Sequence, residues 1–317
     1  MADFMMHNTL ARQLFKTVPL IEELCLIGAQ GPDYTYYVLN KDQRSAAFHL
    51  GNTLHNAHTA QFFEELLQYA VDHQSLEVMS YLCGFLTHYA LDVAIHPYIY
   101  YHTGIYQAND ENTRHYAGLH LQFERKVDLS FMKLTANLTL HRHHLLTRVL
   151  PLKRFPKTIE EALSDVIEKV YDQKKTGELF RLGYQTMRRV YRIFVHDRTT
   201  LKQKMLRLFE SYKKPKPLYL RDLSHAQNIR DFDYLNLKKT PWKHPVTGAA
   251  HHESVLELFD QAALQARIYL KAAQEAYAQQ DVRLLTVHLN NASYDSGLPL
   301  NLDQTMRHFE AYNKKTA

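Results

Sequence analysis

Residues 75–96, "SLEVMSYLCGFLTHYALDVAIH", limit the fold more than any other stretch. They are apolar nearly all round, the pattern of a helix buried at the centre of a protein. Yet the segment carries His88, Asp92 and His96, each four residues after the last, among Phe85, Leu86, Ala90, Leu91, Val93 and Ala94. On an ideal helix a four-residue step turns about 400°, so the three side chains share a face, with the first and last about 12 Å apart along the axis. A buried, unpaired carboxylate is costly or gives up its charge. Asp92 therefore needs partners, either hydrogen-bonding neighbours or a metal ion. Pro97 follows, and a residue before proline is pushed out of the α region. The helix is expected to end or kink there, with His96 at its terminus.

The rest of the chain reads in the same period. Only 10 Gly and 10 Pro in 317 residues argue against a turn-rich β fold. A hydrophobic fraction of 45% supplies a sizeable core. Residues 1–28 read as an amphipathic helix, a break near Pro19, and a second helix through "IEELCLIG". "GAQGPDYTYY" reads as a rigid loop that delivers Asp33. A helix is expected over 50–73, a polar loop near "QANDENTRH", and another helix over "AGLHLQFERKVDLSFMKL". Further helices are expected at roughly 158–175, 178–213 and 253–280, with surface breaks at "KKPKP" (213–217) and "KKTPWKHPVTG" (238–248). The tail through "YDSGLPLNL" is less regular. The expected architecture is an all-α, multi-helix bundle of nine to twelve helices. It forms one domain over residues 1–317, with the chemistry in about 1–135 and additional helices in about 136–317.

The formal charge of +5 is mild and spread along the chain. It demands no nucleic-acid partner and would not hinder a phosphate-bearing substrate. Cys25 and Cys83 lie in apolar runs and read as buried thiols. "MADFMMHNTLARQLF" lacks the pattern of a secretory signal, and no apolar run reaches the roughly 18 residues that span a bilayer. The expectation is a cytoplasmic protein without a transmembrane segment, open to peripheral membrane contact.

A surplus of histidine between His49 and His144 raises the question of metal. His88 and Asp92 can chelate one ion, as an i, i+4 pair does in helical zinc motifs. A hydrogen-bonded pair without metal is the competing reading of the same spacing. His120 and Glu124, in "HLQFERKVD", repeat the spacing, and Asp128 extends that face. With His96 they make two histidines and one carboxylate, a zinc set with room for water. Asp33 and a histidine from "HLGNTLHNAHT" (His49, His55 or His58) would complete the first set. Elsewhere, "HRHH" (141–144) reads as a solvated basic turn, and His251 and His252 as the start of a helix. His102 and His115 face either a cleft or water. Aromatic residues in "YIYYHTGIY" are candidates to line a lipid or base pocket.

"GAQGPD", "GNTLHNAHT", "GFLTHYALDVAIHPY" and "HLQFERKVD", in that order, resemble the zinc-dependent phospholipase C family, in particular its small bacterial members without a secretion signal. The resemblance implies an all-α fold shared with single-strand-specific zinc nucleases and a cluster of two or three zinc ions. It places Asp33, His55, His88 and Asp92 at one ion and His96, His120 and Glu124 at a second. His7 matches a ligand of a third ion, with Asp92 bridging. Asp33 is the candidate to orient or deprotonate the attacking water. The implied activity is hydrolysis of a phospholipid or other phosphodiester. The rivals are a nuclease or nucleotide phosphodiesterase, which would bind nucleic acid, and a non-catalytic metal-binding or scaffold protein. Two features depart from the secreted members: this chain begins "MADFMMH" rather than with a processed Trp, and its Asp92–His96 interval is two residues shorter.

Overall fold

The computed structural model describes residues 4–15, 19–135, 145–194, 200–210 and 232–312. Among these the chain forms twelve α-helices, two 3-10 segments and one two-stranded hairpin. The all-α expectation holds. The first half runs α1 (Phe4–Phe15), α2 (Glu22–Gly28), a 3-10 segment (Gly31–Tyr37), α3 (Lys41–Asn56), α4 (Thr59–Asp72) and α5 (Leu76–Thr103). A second 3-10 segment (Glu111–Tyr116) leads to α6 (Leu119–Thr135). Then come α7 (Leu145–Val149), α8 (Lys157–Tyr171), α9 (Gly177–Phe194) and α10 (Leu201–Glu210). The chain ends with β1 (Trp242–Lys243), β2 (Ala250–His251), α11 (Val255–Gln279) and α12 (Arg283–Thr286).

Helix α5 is the axis of the fold, with α1, α2, α4, α6, α8 and α11 packed around it. Ser75 caps its start by accepting a hydrogen bond from the Val78 N–H, which satisfies one of the orphan donors of the first turn. Contrary to the expectation from Pro97, the helix continues through Thr103, so His96 sits in its interior. A proline inside a helix costs about 3 kcal/mol. The turns after it bury Tyr98, Ile99 and Tyr101, and each large side chain removed from water returns about 1.5–3 kcal/mol. Burial therefore outweighs the break. α5 also corrects the reading that no segment is long enough to span a bilayer. It passes by length and composition, but 89% of that window is buried inside the fold, as befits a core helix.

α2 and α5 cross closely because Gly28 and Gly84 face one another's helices. A Cβ at Gly28 would lie 2.1 Å from the Tyr81 carbonyl oxygen, and one at Gly84 would lie 2.0 Å from that of Cys25. That contact sets where the chain leaves α2 for the 3-10 segment carrying Asp33.

Several boundaries differ from the sequence expectation. The helix expected over 50–73 is two helices, because His58 adopts the left-handed conformation (φ 49°) between α3 and α4. The Asp33 loop is a 3-10 helix. The helix expected over 178–213 ends as α9 at Phe194, and α10 begins at Leu201. The segment 238–248 is no mere surface break: Trp242 pairs with His251 in the hairpin, is 2% exposed and packs edge-on against Tyr98. His251 lies in β2, and the helix start assigned to it belongs to Ser254, which forms a capping box with Glu257. The "HRHH" turn and "KKPKP" lie outside the described residues.

Candidate metal centre

His88, Asp92 and His96 lie on one face of α5, all of them buried. Asp92 Oδ2 is 2.9 Å from His88 Nε2, one turn back. Its other oxygen, Oδ1, is 3.4 Å from His96 Nε2, one turn on. The carboxylate thus spans two imidazoles too far apart to meet each other.

Four other elements converge on this face. The 3-10 segment brings Asp33, whose Oδ1 is 3.7 Å from His55 Nε2 and 4.0 Å from His88 Nε2. Gly31, at φ +52°, makes this possible: a Cβ there would fall 2.3 Å from the His88 ring. The last turn of α3 brings His55, its Nε2 3.9 Å from Asp92 Oδ2. His49 and His58 are exposed, so His55 is the histidine of that stretch that turns inward. α1 brings His7, stacked on His88 at 4.2 Å between ring centroids and 3.3 Å from Asp92 Oδ1. α6 brings Glu124, 3.0 Å from His120 Nε2 and 3.6 Å from His96 Nε2. Three donor groups result, within each of which the ligand atoms lie within 4.8 Å: His7, Asp33 and His88; His55, His88 and Asp92; His96, His120 and Glu124.

The outer nitrogen of three of these rings is held by the backbone. His55 Nδ1 donates to the Gly51 carbonyl at 2.7 Å, His88 Nδ1 to that of Ala29 at 3.2 Å, and His96 Nδ1 to that of Tyr294 at 3.0 Å. A carbonyl only accepts, so Nδ1 carries a proton and Nε2 is the nitrogen that points inward. Those Nε2 atoms, both nitrogens of His7, and Asp33 Oδ1 are buried without a hydrogen-bond partner. Buried polar groups are ordinarily paired, and imidazoles oriented through Nδ1 with a bare Nε2 are the usual disposition of metal-binding histidines. The donor set of imidazole nitrogen and carboxylate oxygen suits zinc.

The electrostatics agree. Burial disfavours the charge on Asp92, yet the imidazoles of His88, His96 and His7 hold its carboxyl well below the usual range. Burial, then the Asp92 charge, pushes Asp33 well above it. Burial drives His88 down to about 3 despite Asp92. Burial also opposes protonation of His96, but Asp92 prevails and raises it to about 9. Without a cation, the site is a compromise between protonation states.

A cleft of about 190 Å³ opens beside these groups, bordered by His55, His120, Glu124 and Asp295 and walled by Tyr36, Phe48, Tyr100, Ile105, Tyr106, Tyr116 and Leu121. His120 is 26% exposed, so the His96–His120–Glu124 group meets the cleft directly. Of the "YIYYHTGIY" stretch, Tyr100, Ile105 and Tyr106 line this cleft, while Tyr98, Ile99 and Tyr101 are core. His102 turns away into a cluster with Tyr98, Phe123 and Phe232, and His115 is exposed.

Two roles escaped the sequence reading. Asp295, from the irregular tail, lies 3.6 Å from His96 Nδ1 and accepts from the Tyr100 hydroxyl at 3.0 Å and the Asn56 amide at 2.6 Å. The irregular tail "YDSGLPLNL" has no helical spacing that would mark Asp295. Asp128, expected to extend the metal face, instead accepts the Met5 and Met6 N–H groups at 3.3 and 2.7 Å. It caps α1 and so holds the helix that carries His7.

A family model described as zinc dependent phospholipase C matches residues 6–178. That span contains all eight of His7, Asp33, His55, His88, Asp92, His96, His120 and Glu124 and stops short of Asp295. No curated protein and no solved structure matches the chain.

Proposed function

The chain belongs to the zinc-dependent phospholipase C family, and from that premise we propose that it is a phosphoric diester hydrolase acting on a phospholipid or a related phosphodiester. The observation that carries the reading is the row of donor groups joined by Asp92 at the foot of an aromatic cleft. Asp33, His55, His88 and Asp92 would hold one zinc ion, His96, His120 and Glu124 a second, and His7 with Asp92 a third. Zinc bound there supplies a Lewis acid for the phosphoryl oxygens and lowers the pKa of water to about 7.

The chain's own residues then have distinct tasks. Asp33 presents Oδ1 toward His55 and His88 without a hydrogen-bond partner, where it would orient the attacking water or take its proton. Asp92 supplies negative charge between the α5 histidines. With Nδ1 of His55, His88 and His96 engaged by backbone, Nε2 is the nitrogen each ring would offer to an ion. The apolar wall of Phe48, Ile105 and Leu121 would exclude water and cover the non-reacting part of the substrate.

The cleft lining contains neither Lys nor Arg among the described residues. Nucleic-acid affinity comes largely from cationic contacts to phosphates, so the lining favours a phospholipid over a single strand, although the aromatic wall would suit either. The partly exposed His120 argues against a closed scaffold site, since structural zinc sites are shut from solvent.

The test is metal content followed by turnover. The zinc-loaded chain is expected to hydrolyse phosphatidylcholine vesicles or bis(p-nitrophenyl) phosphate, and His88→Ala with His120→Ala to lose both metal and activity. Cleavage of a single-stranded oligonucleotide alone would favour the nuclease. Bound zinc without turnover on any of the three would leave a metal-binding protein that is not an enzyme.

A further inference from the structure

Helix α10 has its amphipathic character reversed relative to the fold. On a helical projection Leu201, Met205, Leu208 and Phe209 fall within an arc of about 100°. That arc faces solvent: the four are 59%, 53%, 63% and 66% exposed. The covered positions are Gln203, Leu206 and Glu210, on the opposite side. A surface helix ordinarily buries its apolar stripe, and this one leaves it exposed. Four large side chains left in water forgo about 1.5–3 kcal/mol each, which a partner would recover.

The charges indicate the partner. Exposed Lys204 and Arg207 flank one edge of the apolar arc, and exposed Lys202 the other. Lys202 also donates to the Ile193 carbonyl, tying the start of α10 to the end of α9, where Arg192 and Ile193 are exposed. The one acid of the helix, Glu210, is buried. Basic side chains bordering an apolar face, with no exposed acid, match an anionic bilayer surface, where long cationic side chains reach the headgroups while the apolar face enters the acyl boundary. A second copy of the chain fits poorly. Ten residues make a face about 15 Å long and about 10 Å wide, far below the roughly 800 Å² per partner of a stable interface.

We propose that α10 is a membrane-docking helix that lays Leu201, Met205, Leu208 and Phe209 into an anionic phospholipid surface. The choice of partner rests on the phospholipid reading of the cleft, but binding needs no turnover and is measured without it.

The experiment is co-sedimentation of the full chain with phosphatidylcholine vesicles and with mixed phosphatidylcholine–phosphatidylserine vesicles. Binding is expected to the mixed vesicles, weakening as salt rises. Lys204→Glu with Arg207→Glu should lower partitioning at least roughly 25-fold, from the usual contribution of a basic residue at an anionic surface. Leu208→Glu with Phe209→Glu should abolish it, with melting temperature and turnover on a soluble diester unchanged. Failure of the wild type to bind mixed vesicles, or equal binding by both variants, overturns the proposal. So does a wild-type dimer that the Leu208/Phe209 variant converts to monomer, because a second copy then covers the face. Vesicle binding without hydrolysis of any diester would leave the docking helix standing and remove the enzyme reading; hydrolysis without vesicle binding would do the reverse.

Discussion

Asp295 sits 3.6 Å from His96 Nδ1, so a carboxylate from the end of the chain stands behind a ring of the central helix. Its neighbour Tyr294 accepts the His96 proton through its carbonyl. The tail thereby fixes the ring that faces Glu124. Outer partners of this kind typically change metal affinity or activity 10- to 100-fold. Asp295→Asn is expected to weaken zinc at the His96–His120–Glu124 group by about that factor, read by chelator competition. Unchanged affinity would leave Asp295 a cleft residue only.

Asp92 lies within 4 Å of His7, His55, His88 and His96. Asp92→Asn should strip most of the metal and destabilise the fold by about 3–5 kcal/mol, the usual cost of removing one partner from a buried charged set. Elemental mass spectrometry and thermal melts in zinc check both. Full metal content in the variant would end the bridging role.

Asp33→Asn should fold and retain zinc at the His96–His120–Glu124 group, because Asp33 lies against His55 and His88 instead. Turnover is expected to fall about 100- to 10,000-fold, the range for loss of a general base. Wild-type rates would remove Asp33 from the chemistry.

Zinc uptake should release protons. Metal ligands must be deprotonated, whereas burial and the Asp92 charge push the Asp33 carboxyl well above the usual range and Asp92 raises His96 to about 9. Affinity should therefore rise with pH toward about 9. Calorimetry at pH 7 in buffers of different ionisation enthalpy should report at least about one proton released per chain, from His96. The metal-free protein carries the matching stability signs. His96, with its raised pKa, contributes stability below about 6.5 that is lost as pH rises through about 9. His88, lowered to about 3, contributes stability above about 6.5 that is lost as pH falls toward 3. Melts in chelator should peak between these limbs, and His88→Gln should flatten the acid one.

Gly31→Ala is a backbone probe of the same site. Alanine in the left-handed region costs about 1–2 kcal/mol, and its Cβ would collide with the His88 ring. The variant should lose zinc from the Asp33–His55–His88–Asp92 set while keeping every ligand residue. Retention of wild-type zinc would show that the ring has room to shift.

Much of the site could be read from spacing. His88, Asp92 and His96 recur every four residues in an apolar run, and His120 and Glu124 repeat the interval. Helical geometry converts such spacing into shared faces without reference to the rest of the fold. The break at His58 could not be read this way, since an exposed histidine gives little local sign of a left-handed backbone. For the same reason spacing left His49, His55 and His58 equivalent; only the packing of α3 against the 3-10 segment turns His55 inward. Asp128 was misread because its place on the α6 face is local, whereas its partners, the Met5 and Met6 amides, arrive from another helix.

The all-α class, the buried central helix and the residue types that face one another along α5 and α6 were legible in the amino-acid pattern alone. These follow from the period of one helix at a time. Tertiary structure decided that the helix runs on through Pro97, because the burial gained beyond it outweighs the missing hydrogen bond. It also decided that Asp295 reaches His96 and that α10 turns its apolar face outward. Those outcomes depend on the free energy of contacts between distant segments, which no local pattern encodes.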